Sequence, residues 1–289
     1  MRLDFLSQNG VALPLVGNEL FELTHVDGLT TAEAALAASS NGDDGDTINA
    51  VTANARTIVI DLRIKNGVSV EQAKRTILQA VKIKQTARLE WEQEGRKLTI
   101  EGTVEGIDMP RFTNAVVMQI TMHCSQPFWQ DAAFVVQQIN EAIALHYFAD
   151  GYNEPLFFPE GGIVLGEYDT TRTKTFYNNG DVAVGLEITV IALSTVTNPV
   201  LYDNNGNFLG VGYGDGTKKV VMQAGDVLTI TTGRGNKDII YKGQSILPKL
   251  KPQSTWLQLE AGDNTFTIDS DDASLSNMTF SLEYKQRYV

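Results

Sequence analysis

Apolar and polar residues alternate along much of this chain, and that alternation predicts strands before anything else is considered. In Arg56–Ile64, Ile58, Ile60, Leu62 and Ile64 share one face, while Thr57, Asp61 and Arg63 share the other. This is the two-residue period of a half-buried strand. Residues 115–123 repeat it, with Val116, Met118, Ile120 and Met122 in phase. Residues 86–91 and 97–107 read as a hairpin turning at Gln93-Glu94-Gly95.

Two stretches change period. Ser69-Val70-Glu71-Gln72 has the form of a capping box, and Val70, Ala73, Ile77, Leu78 and Val81 follow at helical spacing. They predict an amphipathic helix over 69–84. Pro127 suits the first position of a second helix, to about Leu145, with Val135, Ile139, Ala142 and Ile143 on its apolar face. Residues 30–46 hold Ala, Ser, Asn, Gly and Asp with Leu36 as the one large apolar residue, and are expected to form a mobile loop.

After Pro155 helical periodicity disappears. Short strand-like runs, among them 184–193, 227–232, 266–268 and 278–284, alternate with turn signals such as Asn178-Asn179-Gly180-Asp181 and Asn204-Asn205-Gly206. Regularly spaced short strands predict an antiparallel sandwich or barrel. The texture changes near 151–159, so the expected fold is mainly β with two helices in the first domain, 1–152, and a β-rich second domain, 153–289. The pattern leaves open whether the final strand, near 280–288, stays in the second domain or returns to the first.

Composition narrows the function. The 289 residues are 43% hydrophobic and 20% charged, enough to bury a core. Acidic residues outnumber basic ones, 35 to 23, for a net charge of −12. Residues 1–150 carry 12 basic against 19 acidic side chains and the remainder 11 against 16, so the halves carry −7 and −5. Neither supplies the basic surface that binding to phosphate backbones needs, so no specific nucleic-acid partner is expected. One cysteine excludes an internal disulfide framework. The start shows no leader-like apolar run and the chain no membrane-length one, so a soluble protein made in a cytoplasm is expected, with no membrane partner.

The candidate chemistry is sparse. His123 and Cys124 are neighbours, but adjacent strand residues point to opposite faces, so they do not make a thiolate pair. Asn41-Gly42-Asp43-Asp44-Gly45-Asp46 has carboxylates but not the ligand spacing of a calcium loop. The glycine-rich 210–216 precedes a strand rather than a helix, so it reads as a hairpin turn and not a phosphate cradle. Lys74, Arg75, Lys82 and Lys84 form the densest basic cluster, a solvated helix face or a contact for an acidic neighbour. Trp256 suits either a core or a sugar groove. Asn277-Met278-Thr279 is a glycosylation sequon without meaning unless the chain is secreted. No catalytic, cofactor-binding or metal-ligating residue is assigned, no cofactor is implied, and no enzyme is expected.

Several stretches taken in order resemble the phage distal tail proteins, tail-tip components of long-tailed phages and prophages. These are Gly45-Asp46 with Arg56–Ile64, Ala73-Lys74-Arg75, and Leu98 to Ile107. Arg111-Phe112 and Cys124-Ser125-Gln126-Pro127-Phe128-Trp129 follow, with Gln126 where the family has an acidic residue. Asn178 to Asp181 with 184–190 come next. Ile230 to Gly235, Leu250-Lys251-Pro252, Ala261 to Asn264 and 280–288 close the series.

That resemblance implies an N-terminal ring-forming β domain and a C-terminal galectin-like β-sandwich. It implies a structural virion protein that forms a hexameric ring at the distal end of the tail. Its partners would be further copies of itself, the tail tube protein, the tail-tip hub or tail-associated lysin, and receptor-binding or baseplate proteins. It would be assembled in the host cytoplasm. DNA would pass through the lumen, and a net negative protein suits a wall that must not hold phosphates. The alternative is a carbohydrate-binding module recognising cell-surface glycans through the C-terminal sandwich. The His-x-Asn-Pro-Arg strand and Trp-Gly segment of sugar-binding galectins do not occur.

Overall fold

The computed structural model describes residues 2–40, 42, 44–109, 116–139, 142–144, 166–168, 172–272 and 278–289. These residues are mainly β, with one α-helix among them. The chain divides into two compact units, one of Met1–Ala133 with Arg287–Val289 and one of Phe134–Gln286. The texture change at 151–159 lies outside the described residues.

The first unit is built on one antiparallel sheet. Its path runs Ala12–Pro14, Arg2–Ser7, Thr86–Gln93, Arg96–Asp108, Val117–Cys124, Arg56–Ile64, Phe21–Asp27. Trp129–Asp131 pairs with Arg96–Asp108 on one side and Arg287–Tyr288 on the other. The alternation in the sequence sets which side chains turn inward. Ile58, Ile60 and Leu62 meet Met118, Ile120 and Met122 across the strand pair, all at or below 1% exposure. Each such side chain contributes about 1.5–3 kcal/mol by leaving water.

The helix Val70–Ala80 seals one edge of this core through Ala73, Ile77 and Ala80. The expected cap is present: Ser69 Oγ accepts a hydrogen bond from the Gln72 N–H at 3.4 Å. The helix ends earlier than 84. Val81 turns extended and is fully buried, and Lys84 takes a left-handed φ of 64° to lead into the next strand.

Two sequence expectations are overturned. The stretch 30–46 is not all loop: Ala34–Ser40 forms a strand that pairs with Asp46–Ala53 in a hairpin. Its residues are small and mostly exposed, so no inward-facing apolar series marks the strands. The second helix does not form. Described residues in 127–145 make the strands Trp129–Asp131, Val135–Gln138 and Ala142–Ala144. Their partners lie far along the chain: Trp129 faces Tyr288, and Val135 faces Tyr284. Spacing within a short apolar run cannot reveal a partner some 150 residues away, and pairing outweighs weak helix periodicity.

The second unit holds two larger sheets. The first runs Val135–Gln138, Met278–Tyr284, Glu187–Ala192, Val227–Gly233, Asn236–Tyr241, Gln244–Ser245. The second runs Thr173–Asn178, Gly262–Asp269, Val200–Tyr202, Phe208–Gly210. Alternate residues of both sheets form one core, with Ile188, Val190, Leu228, Ile230, Phe280 and Leu282 from the first. Phe176, Phe266, Ile268, Leu201 and Leu209 come from the second. Gly185 permits the closest backbone approach, because a Cβ there would stand 2.4 Å from Gly233 Cα.

Candidate assembly surfaces

The hairpin Ala34–Ser40/Asp46–Ala53 is the most unusual surface of the first unit. Leu36 lies opposite Val51 and Ala38 opposite Ile48, with a bulge after Ala37. The bulge inserts one residue into the second strand, so Ile48 and Val51 reach the same face despite their odd spacing. Leu36, Ile48 and Val51 therefore share one side, and they are 60%, 56% and 62% exposed. A two-stranded ribbon is marginal on its own in water. Three apolar side chains held out on such a ribbon describe a surface that gains by being covered.

At the root of the hairpin, the Asn54 N–H donates to Glu33 O at 2.8 Å. A cavity of about 270 Å³ opens there, lined by residues that include Asp27, Glu33, Asn54 and Arg56. Arg56 is 5% exposed. Its Nη1 donates to Leu29 O at 2.6 Å, and the Trp129 indole N–H donates to the same carbonyl at 2.8 Å. Arg56 Nε and Nη2 are buried with no hydrogen-bond partner among the described residues. Burial lowers the Arg56 pKa, an effect partly opposed by Cys124. Burial also pushes the Cys124 thiol up to about 11, against the pull of the Arg56 charge. A thiol so protonated is a poor nucleophile.

The other residues singled out from the sequence do not converge. His123 is exposed and Cys124 buried, on opposite faces of one strand. Arg75 pairs with Glu71 one turn back at 3.1 Å, while Lys82 and Lys84 are exposed beyond the helix end. Within the glycine-rich stretch, Gly212 has φ +87° and a Cβ there would lie 2.1 Å from Asn198 Oδ1. That close contact, in a turn with no following helix, accounts for one of its glycines structurally. Trp256 is half-buried against the second core, with Lys237 Nζ 5.7 Å from its ring centroid. Asn41, Asp43, Arg111, Phe112, His146 and Asn277 lie outside the described residues. Among the described residues, no three of His, Cys, Asp and Glu gather to hold a metal ion. The exposed hairpin was missed by sequence reasoning; the one signal for it was three large apolar residues, Leu36, Ile48 and Val51, in an otherwise small and polar stretch.

Residues 179–288 match the family described as siphovirus-type tail component, C-terminal domain. Over this stretch the chain is similar to siphovirus-type tail components. The whole chain has the fold of the SPP1 Dit protein, with a TM-score of 0.66 at 13% identity over 99% of both chains. That protein is described as a paradigm of the hub adsorption apparatus of phages infecting Gram-positive bacteria. A chain of the phage P2 baseplate in its activated conformation with calcium aligns over 100% of this chain and 99% of its own, at 13% identity and a TM-score of 0.45. No curated protein matches the sequence. The resemblance to phage distal tail proteins read from the sequence is borne out.

Proposed function

We propose that this tail component is a distal tail protein that closes a homohexameric ring at the end of a phage tail. The single observation that carries the ring is the exposed hairpin. A ring is made of identical heterologous contacts, each joining two different patches of one chain. The apolar face of Leu36, Ile48 and Val51 supplies one such patch, and a neighbouring copy is its occupant. The first unit takes the ring-forming role. The two-sheet second unit is the galectin-like sandwich and acts as a platform for baseplate or receptor-binding proteins. The ring links the tail tube protein to the tail-tip hub or tail-associated lysin, in a virion assembled in the bacterial cytoplasm. The role is structural and involves no catalysis. The net charge of −12 suits a lumen through which DNA passes without being held.

The mass of the purified chain in solution tests this reading, by light scattering with and without the neighbouring tail proteins. A species of six times 31.7 kDa is the expected outcome. A chain that stays monomeric with every tail partner present would exclude it.

A further inference from the structure

We propose that the second unit carries a binding cleft for a neutral saccharide at one end of its four-stranded sheet. The cleft is a cavity of about 210 Å³, the scale of a single sugar ring, between the 203–207 turn and residues 255–260. This inference does not rest on the ring, since it concerns residues of the second unit alone.

The walls of the cleft are held rigid by hydrogen bonds that leave other groups unused. Asp203 accepts from the Asn205 and Asn207 N–H groups, both at 2.8 Å, and from Asn207 Nδ2 at 2.8 Å. This pins the turn so that the side chains of Asn204 and Asn205 stand exposed. On the facing wall Asn264, 6% exposed, accepts from the Glu260 N–H at 2.8 Å and donates to Glu260 O at 2.7 Å and Gly262 O at 2.8 Å. Gln258 Nε2 donates to Thr232 O at 2.9 Å, which leaves its Oε1 free to accept.

The unused groups define the ligand. The side chains of Asn204, Asn205 and Thr255, the Gln258 Oε1, the Glu260 carboxylate and the Trp256 indole N–H make no hydrogen bond within the described residues. Amides, a hydroxyl and one carboxylate form the mixed donor and acceptor set that vicinal hydroxyls require. Trp256 adds an apolar ring with a polar edge, the surface on which the C–H face of a sugar packs. Among the described residues no Lys or Arg lines the cavity, so a phosphate or a carboxylate finds no counter-charge from them. The Lys237 ammonium, 5.7 Å from the Trp256 centroid, sits on an exposed and flexible side chain that a ligand can displace.

The test uses the full chain and saturation-transfer NMR, with glucose, galactose, N-acetylglucosamine and their short oligomers as probes. At least one probe is expected to bind with Kd below about 10 mM. Trp256→Ala and Asn205→Ala should each weaken that binding by roughly tenfold or more, while Lys237→Ala leaves it within about threefold. Asn205 is exposed, so its variant reads the site even if Trp256→Ala disturbs folding. Absence of binding by every probe overturns the proposal. So does binding that survives Asn205→Ala unchanged, or that depends on Lys237 instead.

Discussion

Arg56 and Cys124 stand directly opposite each other across an antiparallel strand pair, both buried, at 5% and 0% exposure. A guanidinium in that position costs desolvation, and here two of its nitrogens lack a partner among the described residues. Its one short hydrogen bond, to Leu29 O, ties the segment leading into the hairpin to the sheet. The two effects oppose each other. Arg56→Met, which keeps volume and removes the charge, should therefore change stability by less than about 1.5 kcal/mol. Arg56→Ala leaves a cavity as well and should cost about 2–4 kcal/mol. Urea denaturation of both variants checks this, and a Met variant as damaged as the Ala variant would show that the charge itself stabilises.

Cys124 should resist thiol reagents in the folded state at pH 8 and react on unfolding, because its buried thiol holds its proton. The same shift has a sign in stability. The folded pKa of about 11 lies above the ordinary 9.0, so the native state keeps a proton that the unfolded chain releases. The stability this group contributes is complete below pH 9 and is lost as pH rises through about 11. Thermal denaturation across that window should fall less steeply in Cys124→Ala than in the parent chain.

Asp226 is expected to stay ionised far into acid. The Gln223 N–H donates to its carboxylate at 2.8 Å, the Tyr241 hydroxyl at 2.6 Å, and Lys242 Nζ lies 3.1 Å away. These contacts, the backbone one first, lower its pKa to about 2. With the folded value below the ordinary 3.8, its contribution is present above pH 3.8 and lost as pH falls through about 2. Carboxyl carbon NMR titration reads the value directly, and Asp226→Asn should flatten the acid limb of the stability profile.

The hairpin separates assembly from folding. Leu36→Ser, Ile48→Ser and Val51→Ser together remove exposed apolar surface that packs on no core, so the melting temperature should change little. If the face is covered by a neighbouring copy, burial at about 25 cal/mol per Å² makes the same triple variant shift the chain toward monomer. Light scattering and thermal melts on the same samples check both halves of the prediction, and an intact oligomer would remove the hairpin from the interface.

Where an element carries its own inward-facing series, its strand could be read without a structure. Arg56–Ile64 and Met278–Tyr284 each present buried residues at every second position, so local pattern and tertiary demand coincide. The Ser69 cap was legible for the same reason, since its hydrogen bond closes within three residues. The two misread stretches had no such local statement. Val135–Gln138 is a strand because Met278–Tyr284 lies beside it, and the hairpin strands pair with each other while burying almost nothing.

The sequence by itself determined a mainly β chain, an acidic surface and one helix with its cap, because alternation, charge and capping act over a few residues. Only the tertiary structure decided that Arg287–Tyr288 pairs with Trp129–Asp131, that Arg56 meets Cys124, and that Asp203, Trp256 and Asn264 line one cleft. Those relationships join residues from tens to somewhat over a hundred positions apart. What selects them is the free energy of burying one shared core, which no short window of sequence contains.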